Sequence, residues 1–233
     1  MEDRRILEAH AGNLPRNVFT IAEEFRTGFE AVDRIDRPGV SVFGSARVKP
    51  DSDVYRVAQE IGRLFAEAGF AVVTGGGPGV MEAANRGAKD GGGLSVGFTI
   101  DLPHEQDPNP YLDICVNFKH FYARKTMLVK AAEGFVMMPG GFGTLDEMFE
   151  ALTLIQTGKV LNFPVVLFGS EHWKGLLDWI NVKLLPQGLI SQDDEELLYV
   201  TDDPKAAVKL VVEHYEARSA HEEPAEPRKV DAQ

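Results

Sequence analysis

Nine consecutive residues, Pro139-Gly140-Gly141-Phe142-Gly143-Thr144-Leu145-Asp146-Glu147, combine a loop suited to an anion with a carboxylate one turn further on. Glycines let backbone approach a ligand closely, and the first N–H groups of a helix, with its positive dipole end, face a phosphate. A carboxylate beside a phosphate is a poor choice for binding, because like charges repel. It makes sense as a group that acts on the sugar carrying the phosphate. A second loop, Gly75-Gly76-Gly77-Pro78-Gly79, fits a tight strand-to-helix turn as well as it fits a ligand loop. Two such loops at strand ends in one chain favour a ligand. Neither matches G-x-G-x-x-G, and neither is followed by Gly-Lys-Ser/Thr, which argues against dinucleotide binding and P-loop ATP hydrolysis.

Between the loops lies a basic cluster, Lys119-His120-Phe121-Tyr122-Ala123-Arg124-Lys125. Most charge runs are solvated helix faces. In an acidic chain, upstream of a phosphate loop, this one has a use: Arg124 can give bidentate hydrogen bonds to phosphate or ribose oxygens. Glu105, in Leu102-Pro103-His104-Glu105-Gln106, reads by itself as a surface carboxylate. The six histidines lack metal-ligand spacing, and a lone Cys115 cannot build a zinc site. Without a Gly-x-Ser-x-Gly elbow a serine triad has no support either.

The elements that must hold these groups alternate. Short apolar runs over 40–43, 70–74, 94–99, 114–116, 134–138, 165–168 and 197–200 read as strands. Helical spacing appears over 53–68, 80–89, 120–132, 144–157, 173–185 and 204–218. Apolar strands alternating with helices imply a parallel sheet covered on both faces, and ligands of such sheets bind at the carboxyl ends of the strands. The expected fold class is therefore α/β, a Rossmann-like three-layer sandwich with a mainly parallel sheet. Residues 1–36 read as a helical extension, 37–218 as the nucleotide-binding domain, and the Pro/Glu-rich 219–233 as a disordered tail.

Composition narrows the partners. The 233 residues carry a net charge of −12, which argues against nucleic acid or an anionic membrane surface. One cysteine permits no internal disulfide and suits a reducing, cytoplasmic setting. No apolar run reaches the roughly 20 residues of a membrane span, and the first residues lack the apolar core of a signal peptide.

Pro139 to Glu147 also meets in full the Pro-Gly-Gly-x-Gly-Thr-x-x-Glu pattern of the LOG ("Lonely Guy") family, cytokinin riboside 5′-monophosphate phosphoribohydrolases, many once mislabelled lysine decarboxylases. The chain resembles that family over roughly residues 40–185, including the Gly75 loop and the Arg124-Lys125 pair. Its Leu102 to Gln106 and Asn109-Pro110-Tyr111 stretches resemble a longer bacterial branch. The resemblance implies that Arg124 and Glu147 are the catalytic pair. It implies that Glu105, Lys125, Gly140, Gly141, Phe142, Gly143, Thr144 and Thr153 line the nucleotide, with Ser45 and Gly79 at its phosphate or base edge. The implied substrate is a purine riboside 5′-monophosphate, hydrolysed without metal or organic cofactor by a homodimer or higher homo-oligomer. A decarboxylase would hold pyridoxal phosphate on a lysine, and neither glycine loop contains one. Three alternatives remain at this point: a general AMP nucleosidase, a non-catalytic carrier of molybdenum cofactor, and a regulatory nucleotide-binding module.

Overall fold

The computed structural model describes residues 14–102, 107–160, 163–195 and 197–221. Its strands are β1 (Gly39–Phe43), β2 (Ala71–Thr74), β3 (Ser95–Ile100), β4 (Ile114–Phe118), β5 (Phe135–Met137), β6 (Val165–Phe168) and β7 (Leu198–Thr201). They form one sheet in the order β4-β3-β2-β1-β5-β6-β7, and every pairing is parallel. The helices are α1 (Leu14–Val32), α2 (Asp53–Glu67), α3 (Val80–Asp90), α4 (Phe121–Lys130), α5 (Phe142–Gln156), α6 (Ser170–Trp179), α7 (Gln192–Glu195) and α8 (Pro204–His221). The expected α/β sandwich is the observed one.

Side chains alternate across the strands, so each apolar run feeds two cores. Val40, Val42, Val136, Met138 and Val166 pack with α2, α3 and α8. Phe43, Phe135, Met137, Val165 and Leu167 point the other way, into the layer holding Met127 and Leu128 of α4, Met148 of α5 and Trp173 of α6. Strand order reverses between β1 and β5, the neighbours at the centre of the sheet. The loops leaving their carboxyl ends diverge there and open a crevice.

Element ends differ from the sequence reading in two informative places. The helix expected over 144–157 begins at Phe142, with Gly141 as its N-cap, because the Gly-Phe-Gly segment itself takes up the first turn. The last helix continues through His221, so the first residues assigned to the tail are helical; residues 222–233 lie outside the described ones, as do 1–13.

The extension is built into the domain. Ala31 of α1 is buried in the second core, and Phe25, Val32 and Ile35 pack against it. Glu24 of α1 does more. Its carboxylate accepts the N–H groups of Lys119 (3.0 Å) and His120 (3.3 Å) and pairs with Nδ1 of His120 (2.9 Å). Helix α4 has no side-chain cap of its own, so Glu24 supplies one from another helix, where a negative charge also suits the dipole. Glu24→Ala should lower stability by about 1–3 kcal/mol in chemical denaturation. Glu23→Ala, which removes only an exposed pair with Arg26, should cost under about 1 kcal/mol. Equal costs for the two would argue against the cap.

Candidate active site

A cavity of about 250 Å³ occupies the crevice. Its walls come from the ends of several strands: Phe43, Gly44 and Ser45 after β1, Gly75 and Gly77 after β2, Thr99 and Ile100 on β3. Helices α4 and α5 close it with Phe121, Arg124, Gly141, Gly143, Thr144 and Glu147. Helices α4 and α5 thus bring together Arg124 and Glu147, 23 positions apart in sequence, on one cavity.

Glu147 lies one turn into α5 and is only 5% exposed. Its Oε2 has no hydrogen-bond partner among the described residues. Burial pushes its carboxyl up to about 7, more than the nearby positive charges of Lys125 and Arg124 pull it down; Glu150 and Asp146 add to the rise. A carboxyl poised near neutrality, buried and unpartnered, has the properties of a general base awaiting a ligand.

Arg124 donates from Nε to the carbonyl of Phe98 (2.7 Å), which fixes the plane of its guanidinium. Burial lowers its basicity while Glu147 opposes that. Its Nη2 lies so close to the Gly75 loop that a Cβ on Gly75 would stand 2.2 Å from it. A side chain there would push the guanidinium and the Met81 sulfur aside. Gly79 caps α3 at φ +70°, and a Cβ on it would meet the Ser45 carbonyl at 2.4 Å. Its place is in the packing of two loops, and it is not on the cavity wall.

Ser45 ties three loops together. Its N–H donates to Pro139 O (3.1 Å), its carbonyl accepts from Val80 N–H (3.1 Å), and its Oγ accepts from Arg47 N–H (3.1 Å). The Gly75 loop is also pinned from below. Asn109 donates to Gly77 O (3.1 Å) and to Asn85 Oδ1 (2.9 Å), and Thr74 Oγ also donates to Asn85 Oδ1 (2.6 Å). Asn85 and Asn109 are both buried. Sequence reasoning missed them; an asparagine inside the small, apolar α3 pattern was the available signal. It also passed over the apolar wall of Phe43, Met81, Ile100, Leu102 and Phe121.

The remaining expected residues divide. Gly141, Gly143 and Thr144 are on the cavity wall with Ser45. The first amides of α5 have no carbonyl one turn earlier to bond, and its first turn carries no acidic residue. Phe142 projects into solvent, 92% exposed. Gly140 is not on the wall of this cavity; its N–H donates to Nε2 of His172 (3.3 Å). Lys125 turns to α5, where its Nζ pairs with Asp146 (3.0 Å) and Glu150 (2.5 Å). It acts on Glu147 through its charge. Thr153 lies further along α5 in a different groove, with Leu152, Gln156 and Ile180, and its hydroxyl donates to Phe149 O (2.7 Å). In the single chain it does not meet Arg124 and Glu147. Glu105 lies outside the described residues. No cluster of potential metal ligands occurs among the described residues, and no described helix is long and apolar enough to cross a membrane.

The family described as "possible lysine decarboxylase" matches residues 81–211. A cytokinin riboside 5′-monophosphate phosphoribohydrolase of Mycobacterium tuberculosis is 31% identical over 161 residues, covering 68% of this chain and 85% of that protein. An uncharacterized protein of Archaeoglobus fulgidus is 37% identical over 122 residues, 52% of this chain and 79% of its own. Among solved structures, the molybdenum cofactor binding protein of the phototrophic bacterium Rippkaea orientalis superposes with a TM-score of 0.54 at 26% identity, covering 76% of this chain and 96% of that one.

Proposed function

The chain belongs to the family described as possible lysine decarboxylase, and from that membership and the geometry of its cavity we propose that it is a phosphoribohydrolase acting on purine riboside 5′-monophosphates. The observation that carries this reading is Glu147, buried and unpartnered on the same cavity as Arg124. The name shared by its Mycobacterium tuberculosis relative supports it. The other activity, in the family's description, draws no support from Lys125, whose amine is engaged by two carboxylates.

Hydrolysis breaks the bond between C1′ of the ribose and N9 of the purine. The bonding electrons leave with the base, and the sugar becomes positive at C1′ and O4′. Glu147, as carboxylate, faces that developing charge and takes the proton of the water that attacks C1′. The departing purine takes up a proton from solvent and Glu147 returns its own to solvent, so free base and ribose 5-phosphate result and the carboxylate is restored. Arg124, on the same wall, bonds ribose oxygens and orients the leaving base. The α5 amides at Gly141 and Gly143 grip the far end of the substrate, which favours nucleotides over nucleosides because remote binding positions the reacting bond. The apolar wall of Met81, Ile100, Leu102 and Phe121 receives the base. We take the assembly to be at least a homodimer in the cytoplasm, pairing through exposed apolar side chains of α4 and α5 such as Tyr122, Phe142 and Phe149.

Incubation with AMP and with isopentenyladenosine 5′-monophosphate, followed by chromatography, tests the reading. Free base and ribose 5-phosphate should appear in equal amounts, and the matching ribosides should react far more slowly. The ratio of the two monophosphate rates separates an N6-modified preference from a general AMP nucleosidase. Release of no base from either overturns the proposal. That outcome would favour the second reading, a carrier, which rests on the Rippkaea orientalis structure.

A further inference from the structure

We propose that Arg47 reads the 5′-phosphate of the substrate, so that the cleft is divided into a reacting end beside Glu147 and an anion end beside Arg47. This rests on the phosphoribohydrolase reading and assigns the part of the cleft that the glycine motifs leave undescribed.

The cavity holding Arg124 and Glu147, at about 250 Å³, lies below the usual range of roughly 300–1,000 Å³ for small-molecule sites. A second cavity, about 490 Å³, adjoins it and is lined by Ser45, Arg47, Gly141, Phe142, Gly143 and Leu145. Ser45, Gly141 and Gly143 belong to both. A nucleoside monophosphate placed with its sugar at Glu147 extends past these shared walls into the second space. Its phosphate cannot sit against the buried carboxylate of Glu147 without repulsion. It belongs at the other end.

That end carries a cation, the exposed Arg47. Among the described arginines five form ion pairs: Arg26 with Glu23 and Glu30, Arg37 with Asp36, Arg56 with Asp53, Arg63 with Glu60 and Glu67, and Arg218 with Glu133. Arg47 forms no ion pair with a described residue. Its backbone is nevertheless held, because its N–H donates to Ser45 Oγ at 3.1 Å. A fixed backbone and an unengaged guanidinium, across a cavity from helix amides, suit bidentate capture of a phosphate. The independent sign that this cleft takes a ligand is Oε2 of Glu147, buried and unsatisfied on the adjoining wall.

Calorimetry with ribose 5-phosphate, on the full chain and on Arg47→Ala and Arg47→Lys, tests the assignment without requiring turnover. Arg47→Ala should bind ribose 5-phosphate about 10- to 100-fold more weakly, the size of a lost charge-assisted contact. Arg47→Lys should restore part of that. In turnover, kcat/KM for the monophosphate should fall by about 10- to 100-fold, while kcat/KM for the riboside, which lacks the phosphate, should stay within about twofold. An affinity for ribose 5-phosphate unchanged in a folded Arg47→Ala protein overturns the proposal, and so does a wild-type protein that does not bind it at millimolar concentration. Wild-type protein that binds ribose 5-phosphate through Arg47 yet releases no base leaves this assignment standing and overturns only the hydrolase reading.

Discussion

Glu147→Gln should fold like the wild type and lose about two to four orders of magnitude in kcat, the usual contribution of a positioned acid or base. The substitution keeps the shape and removes the charge, so the loss isolates what the carboxylate does at C1′. A mutant within tenfold of wild type would remove Glu147 from the chemistry. The wild-type pH profile gives a second signature. With the carboxyl pushed up to about 7, the active, ionised form is depleted below that value. kcat/KM of the wild type should therefore fall about tenfold per pH unit on the acid side of neutrality.

Stability should run the opposite way. Glu147 binds its proton more tightly folded than unfolded, so between its ordinary value of 4.5 and about 7 rising pH favours the unfolded chain. At about 1.4 kcal/mol per pKa unit, keeping this carboxylate ionised and buried costs on the order of 3 kcal/mol above neutrality. Glutamine carries no such penalty. The melting temperature of Glu147→Gln relative to wild type should climb as pH rises through that window and level off above it. A stability difference flat with pH would mean that the carboxyl is not held near neutrality.

Arg124→Ala should lower kcat/KM by about 10²–10³, as loss of a preorganised cationic donor does. Arg124→Lys should recover little, because only the planar guanidinium can bond Phe98 O through Nε while Nη2 reaches toward the Gly75 loop. Arg124 also favours ionisation of Glu147. Removing it should move the acid limb of the pH profile to higher pH, a displacement that simple loss of substrate affinity would not produce. An unmoved limb would sever the link between the two residues.

Much of this site was legible in the chain. The glycines of the Pro139 loop announce a strand, a turn and a helix, because few other sequences permit that path, and Glu147 follows at a spacing fixed by the helix itself. Arg124 was legible for a different reason: a basic cluster stands out in a chain with 36 acidic and 24 basic residues. What escaped depends on contacts between distant segments. Glu24 caps a helix 95 positions away, and Asn109 reaches the Gly75 loop from 32 positions further along; no local pattern encodes either. Lys125 shows the converse failure. Adjacent to Arg124, it turns toward α5 because successive helix residues point about 100° apart.

The two groups assigned to the reaction stand on opposite wings of the sheet. Arg124 rides on α4, packed on β3 and β4, whereas Glu147 rides on α5, packed on β6. Lys125 ties the two helices together at the surface, and within the sheet the wings meet at a seam where β1 and β5 pair over Ser41↔Phe135, Val42↔Val136 and Phe43↔Met137 and the rings of Phe43 and Phe135 lie 4.8 Å apart. Any twist along that seam would spread or close the pair like jaws, with Phe43 and Phe135 as the pin. A substitution at Phe135, which is not on the cavity wall but packs on Phe43, which is, would then be felt as a change in bite.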